Sequence, residues 1–359
     1  MNKLVQVSIV GHLVGLLLLC TFCSPQAEPK PSVTTYKPDK FYRGYTLCSS
    51  RHTERARLID MEGNEIHSWE FVQGGSWHYA EMLPNGHLIA IIKDQMILEL
   101  DWNSNLVWKC EMRAHHDFDR LPNGNTMVIS RERILNPELS PDTLLSDFIV
   151  EKTSDCGVVW RWNSDEHARE LQNFVEITFP VDHTDWAHTN TVEVLRENVL
   201  ASRDPRFQAG NVLTSFRNVN TIAVIDRKTK KIVWAWGPGV LDRQHMPTLL
   251  ENGHILMYDN GSDRGYTRIL ELDVLRDEIV WEYTADPPES FFSNTRGSNQ
   301  RLPNGNTLTG EADSGHLVEI TPAGEVVWEY ENPDTLADGR QDALYRVIRY
   351  TPEEIEPLL

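Results

Sequence analysis

The sequence predicts an all-β protein, a six-bladed β-propeller whose ring is closed by a C-terminal strand joining the first blade. Three observations lead there. A Leu-Pro-Asn-Gly turn recurs, a strand–turn–strand unit ending in Val-Trp or a variant of it occurs six times, and no long stretch carries the 3.6-residue period of an amphipathic helix. Short alternating strands separated by regular turn signals are the pattern of a propeller blade.

The turn stands at Leu83–Gly86, Leu121–Gly124 and Leu302–Gly305, with a variant at Leu250–Gly253. Asn-Gly between apolar runs marks a tight hairpin, because glycine takes the positive φ such a turn needs. The second half of the unit reads Ile97–Asp101 then Leu106–Trp108, Thr221–Asp226 then Ile232–Trp234, Ile269–Asp273 then Ile279–Trp281, and Leu317–Ile320 then Gly324–Trp328. Arg57–Asp60 leading to Trp69 and Val158–Trp160 complete the set. The Trp spacings are 39, 52, 74, 47 and 47 residues. Residues 163–183 and Arg203–Gly210 stretch the third interval and are expected to be loops. A strand-like run, Ala343–Tyr350, follows the last unit, and the first unit lacks an inner strand before Tyr45. The run is therefore expected to complete the first blade and leave no open edge.

The N-terminus reads as a targeting segment. Lys3 precedes an apolar run, Ile9–Phe22, of signal-peptide length and short of the roughly 20 residues a membrane span needs. Residues 1–22 are expected to be a signal peptide, with lipidation at Cys20 or Cys23 and plain cleavage both open. The protein is then exported, periplasmic or tethered to the membrane by a lipid. Residues 23–43 read as a Pro-rich linker and 44–359 as the propeller. Cys48, Cys110 and Cys156 remain in the body, where one disulfide is expected and the pair is open.

Thirty-four Lys and Arg against 53 Asp and Glu give a net charge of −19, which excludes a general nucleic-acid binder. If the substrate is an anion, its site must be a local exception to that balance.

Histidines recur six residues before the turn proline or its equivalent: His78 before Pro84, His116 before Pro122 and His245 before Glu251. His188 stands before the corresponding strand of the stretched unit, and the last unit has Gly297 instead. In a propeller such residues ring one mouth of the central channel. Arg217, between two strands of the same region, suits a tetrahedral oxyanion, which a guanidinium fork grips bidentately. A metal site built on these histidines with Asp117, Asp119 or Asp185 is the rival reading. Trp77, Phe291 and Phe292 are candidates for an aromatic lining.

Read in order, His115-His116-Asp117, Asp185-Trp-Ala-His-Thr-Asn190, Leu213-Thr-Ser-Phe-Arg-Asn218, Thr221–Trp234, Gln244-His245 and Tyr258-Asp-Asn-Gly261 resemble the bacterial arylsulfate sulfotransferases, the PAPS-independent aryl sulfotransferases. The resemblance spans about residues 75–350. It implies an exported six-bladed propeller that moves a sulfuryl group from an aryl sulfate to a phenol by a ping-pong route, without a nucleotide donor, cofactor or metal. It implies His245 as the nucleophile, held as a sulfohistidine, with His116, His188, Asn190 and Arg217 around it. The family often has Gly before its Gln-His pair and Asp after it, where this chain has Arg243 and Met246. His78 and Arg243 are expected to join the substrate-binding mouth. Two other readings stay open: a non-catalytic propeller that binds a ligand at the same mouth, and a metal-dependent hydrolase on the histidine ring.

Overall fold

The computed structural model describes residues 32–73, 75–181 and 184–359. They form six antiparallel sheets, five of four strands and one of five. Blade 1 is Leu344–Tyr350, Tyr45–Ser50, Arg55–Ile59 and Glu65–Glu70, from the channel outward. Blade 2 runs from Trp77–Met82 to Leu106–Glu111, and blade 3 from Ala114–Arg120 to Val158–Asn163. Blade 4 runs from Thr189–Val194 to Ile232–Trp236, blade 5 from His245–Leu249 to Glu278–Tyr283, and blade 6 from Ser298–Arg301 to Val326–Glu331.

The C-terminal strand closes the ring as expected, pairing Tyr350 with Tyr45 and Val347 with Cys48. One element departs from the sequence reading. Val33–Tyr36, inside the expected 23–43 linker, is a fifth strand on the outside of blade 6 and pairs with Val326–Glu331. Val33, Thr34 and Thr35 are β-branched, and the exposed edge of that outer strand offers them hydrogen bonds. The chain is thus latched twice, inside blade 1 and outside blade 6. The expected signal segment and the cysteines Cys20 and Cys23 lie outside the described residues.

The turn glycines do what the sequence required. Gly86, Gly124, Gly253 and Gly305 have φ of 80°, 85°, 87° and 88°, and each amide donates to the leucine carbonyl that opens its turn. Strands buried on both faces explain the continuous apolar runs such as Leu88–Ile92. The core is divided into six clusters, one at each junction between neighbouring blades.

All six marker tryptophans lie on the fourth strand of their blades, the outermost one except in blade 6, where Val33–Tyr36 covers it. Trp160, Trp281 and Trp328 donate their indole N–H to the outer turn of the next blade, at Arg227, Pro322 and Met61, 2.8–2.9 Å away. The repeated tryptophan therefore staples each of these blades to its neighbour. Trp77 and Phe291 are core residues rather than lining. The expected loop 163–183 carries a short helical stretch, Asp165–His167 and Ala168–Leu171, whose Ala168 and Leu171 pack into the junction of blades 3 and 4. Cys110 and Cys156 form a disulfide between blades 2 and 3, with Cys48 left free and buried.

Candidate active site

The inner strands of blades 1 to 5 carry a break in regular pairing, and that of blade 6 does not. The register slips between Trp77 and Ala80, between Thr189 and Thr191, and between His245 and Thr248. His116, His188, Arg243 and Met246 sit at positive φ, between 47° and 61°. Non-glycine residues enter that region at a cost of roughly 1–3 kcal/mol each, and such residues concentrate at functional sites. Here the distortion turns side chains from four blades into one mouth.

The structure brings His78, His116, His188 and His245 together. The His116 ring lies 5.5 Å from that of His78, 4.8 Å from that of His188 and 6.4 Å from that of His245, centroid to centroid. His78 Nδ1 accepts the His116 backbone N–H at 3.1 Å, and its ring stacks on Tyr345 at 4.4 Å. Blade 6 has no histidine because none fits. Gly297 has φ of 108°, and a Cβ there would stand 2.3 Å from the Tyr258 ring.

His245 is the most closely defined of the four. Its Nδ1 lies 2.6 Å from Asn260 Oδ1 and 3.1 Å from the Arg243 carbonyl. The Asn260 amide nitrogen donates to the Ser293 and Arg296 carbonyls at 2.8 and 2.7 Å, so its oxygen must face the imidazole. Two acceptors at Nδ1 place the proton there and leave Nε2 with its lone pair. Burial, then the nearby charge of Arg217, holds the His245 pKa well below the usual histidine value, so the ring is neutral at neutral pH. Burial does the same for His78 and His116.

The other histidines form a hydrogen-bonded chain. Asp185 Oδ2 lies 2.6 Å from His188 Nδ1, His188 Nε2 lies 3.2 Å from His116 Nε2, and His116 Nδ1 lies 2.6 Å from His115 Nδ1. His115 Nε2 stands 3.2 Å from Asp147, though not aligned for a hydrogen bond. Burial raises the Asp185 pKa, but its bond to His188 together with the charge of His188, His115 and Arg131 outweighs this and holds the carboxyl below its usual value. The chain has three hydrogen bonds, from Asp185 to His188, His188 to His116 and His116 to His115, each carried by one proton.

Arg217 and Arg243 meet across Asn218, each donating to its Oδ1 at 2.9 Å. Neither is paired with a carboxylate among the described residues. Arg217 is depressed, first by burial and then by the like charge of Arg243. Two forks held together without a carboxylate have the donor geometry and charge that would suit an anion. Asn190 is fully buried. Its amide nitrogen donates to the Gln244 carbonyl at 2.8 Å, so its contact is with the strand carrying His245. Among the described residues no group of three or more His, Cys, Asp or Glu is arranged to hold a metal ion.

Asn260, His115 and Asp147 were not singled out from the sequence as site residues. A signal for Asn260 existed. The residue seven places after the glycine that precedes each blade's second strand stands just past that strand's end, except in blade 3, where the strand runs on. That rule gives Arg51, Lys93, Arg131, Arg217, Asn260 and Ala312 from Gly44, Gly86, Gly124, Gly210, Gly253 and Gly305.

Among solved structures, the fold is similar to a protein of unknown function from Bacteroides caccae, with a TM-score of 0.57 at 13% identity over 85% of this chain and 98% of that one. It is also similar to a streptogramin B lyase, with a TM-score of 0.51 at 12% identity over 90% and 96% of the two chains. A third is the WD40 propeller domain of Doa1, with a TM-score of 0.50 at 13% identity over 85% and 88%. These likenesses establish the propeller alone. A search of curated proteins gave no match. The family model for arylsulfotransferase (ASST) matches residues 79–333, which take in all four histidines except His78 and both arginines of the mouth. The chain belongs to the arylsulfotransferase family.

Proposed function

We propose that this aryl sulfotransferase works through a covalent intermediate on His245, moving a sulfuryl group from an aryl sulfate to a phenol in two half-reactions. The observation that carries this is the fixed tautomer of His245: a buried, neutral imidazole whose Nδ1–H is held by Asn260 and whose Nε2 is free to attack.

In the first half-reaction Nε2 forms a bond to sulfur as the sulfur–oxygen bond to the aryl group breaks. The electron pair of that bond leaves on the phenolic oxygen, which takes the proton of an imidazolium that the His116–His188 pair forms in the substrate complex, opposite the Asp185 carboxylate. The sulfohistidine formed keeps its Nδ1–H against Asn260. In the second half-reaction the acceptor phenol returns a proton to the same pair as its oxygen attacks sulfur, and His245 leaves as neutral imidazole. Sulfuryl transfer spreads negative charge over three oxygens, so positioning and fixed positive charge do most of the work. Arg217 and Arg243 supply that charge, and Asp185 steadies the proton on His188.

The test is a single turnover without acceptor. Mixing the protein with a chromogenic aryl sulfate is expected to release one equivalent of phenol per chain in a burst, which then stalls until a second phenol is added. The His245→Ala protein is expected to give no burst. Steady release in His245→Ala at the wild-type rate would overturn the proposal and favour a ligand-binding propeller or a hydrolase using other groups.

A further inference from the structure

Beyond the groups that chemistry uses, the mouth holds two more cations. Arg51 and Lys93 immediately follow the second strands of blades 1 and 2, at the same repeat position as Arg217. Both border His78. The Lys93 amide donates to the Ser76 carbonyl at 2.9 Å, two residues before His78. Ser49, two residues before Arg51, donates its hydroxyl to the His78 carbonyl at 2.9 Å. The Arg51 amide donates to Ala343, two residues before the Tyr345 that stacks on His78.

Neither cation has a side-chain hydrogen bond or ion pair among the described residues, and Arg51 Nε is buried without a partner. The carboxylates in reach are already taken: Asp94 by Arg131 and Arg113, Asp313 by Arg296, and Asp342 by His52. Burial depresses both cations, and each is pushed further by neighbouring positive charge, from Arg296 on Arg51 and from Arg131 on Lys93. Like charges held together in a partly buried wall, with their carboxylates spoken for, are arranged for an incoming anion. The sulfuryl group cannot be that anion if it is bound at His245, where Arg217 and Arg243 stand.

We propose that Arg51 and Lys93 form a second anion subsite beside His78 and Tyr345, and that the preferred aryl substrates carry a second acidic group, a carboxylate or another sulfate, which this pair receives. The proposal rests on the sulfuryl group being held at His245. A bare phenol would leave the subsite to water, whereas a phenolic acid would be held at both ends and oriented.

Dead-end ligands test it on the intact chain without turnover. Calorimetric titration with benzenesulfonate, which has one anion, and with 3- and 4-sulfobenzoate, which have two, is expected to show at least one dianion binding about tenfold tighter at low ionic strength. In the Arg51→Gln/Lys93→Gln protein that gap is expected to close to within about twofold, with benzenesulfonate affinity unchanged. Benzenedisulfonates in the same assay distinguish a sulfate-selective pair from a carboxylate-selective one. Equal binding of mono- and dianions by the wild type, or a preference that survives the double substitution, would overturn the proposal. A protein that shows the preference but never releases phenol from an aryl sulfate would sink the chemistry and leave the subsite standing.

Discussion

The two ends of the channel are built from the same inner strands and have opposite chemistry. At the mouth stand His78, His116 and Asn190, and three residues further along the same strands come Glu81, Asp119 and Glu193. Three residues of strand is roughly 10 Å. The bulges noted in blades 2 and 4 bring both sets toward the channel, since regular alternation would have put residues three apart on opposite faces. Between the two sets lies a buried ion pair, Arg346 with Asp117, with Arg346 also donating to the Asn190 carbonyl at 3.0 Å. Above the pair are neutral imidazoles and uncompensated cations. Below it is a cavity of about 260 Å³ lined by Glu81, Asp119 and Glu193. Burial pushes Glu193 to about 8, Glu81 to about 7 and Asp119 to about 6. A net charge of −19 says nothing about either end, because the fold sorts charge along each strand.

The comparison can be broken at several points. Removing His245 has the largest expected effect. His245→Ala should lower kcat/KM about 10⁴-fold or more, since the nucleophile has no substitute in the mouth. Removing the divider comes next. Arg346→Met leaves Asp117 buried and unpaired and should cost about 3–5 kcal/mol of stability in denaturant unfolding. The double change Arg346→Met/Asp117→Leu should recover much of that loss. Arg217→Gln should lower kcat by about 10²–10³-fold with folding intact, the range seen when one donor to transition-state charge is lost. Asn260→Leu frees the His245 tautomer and should cost about 10–100-fold in kcat, with a changed pH–rate profile that a purely structural role would not produce.

The smallest effect is a pH dependence that separates the two ends. Glu193 and Glu81 have folded pKa values above their unfolded ones. Their contribution is fully present below about pH 4.5 and is lost as pH rises through about 7 and 8. His78, His116 and His245 are depressed, so their contribution is present above about pH 6.5 and falls away as pH drops below it. The floor weakens the fold in alkali and the mouth weakens it in acid. Unfolding at pH 9 should therefore be easier than at pH 7, and Glu193→Gln should remove about 1 kcal/mol of that difference. A Glu193→Gln protein with the wild-type alkaline slope would show that Glu193 is ionised in the native state.

Much of this architecture was legible in the repeat. The turn glycines, the tryptophans and the orphan strand Ala343–Tyr350 gave the blades and their closure, because each is a local backbone or packing requirement that recurs. The histidines stood out for the same reason, whereas Arg217 stood out only by its place between two strands beside them and by the family resemblance. The repeat marks Asn260 and Lys93 just as clearly, seven residues after a turn glycine, but they differ in residue type from blade to blade and so looked like ordinary strand ends. His115, Asp147 and Asp185 come from three separate segments, and only the ring places them in one chain. The strand Val33–Tyr36 was hidden by the prolines around it, since its partner is almost 300 residues away.

The central claim is that the sulfuryl group rests on His245 between donor and acceptor. It is tested most directly by quenching the protein after a single turnover with an aryl sulfate and no acceptor, then mapping the modified peptide under mildly alkaline conditions. The account predicts one sulfuryl group, on Nε2 of His245, that disappears when a phenol is added before the quench. A sulfuryl group found instead on Tyr345 or another side chain, or none at all while transfer to phenol proceeds at its normal rate, would contradict it.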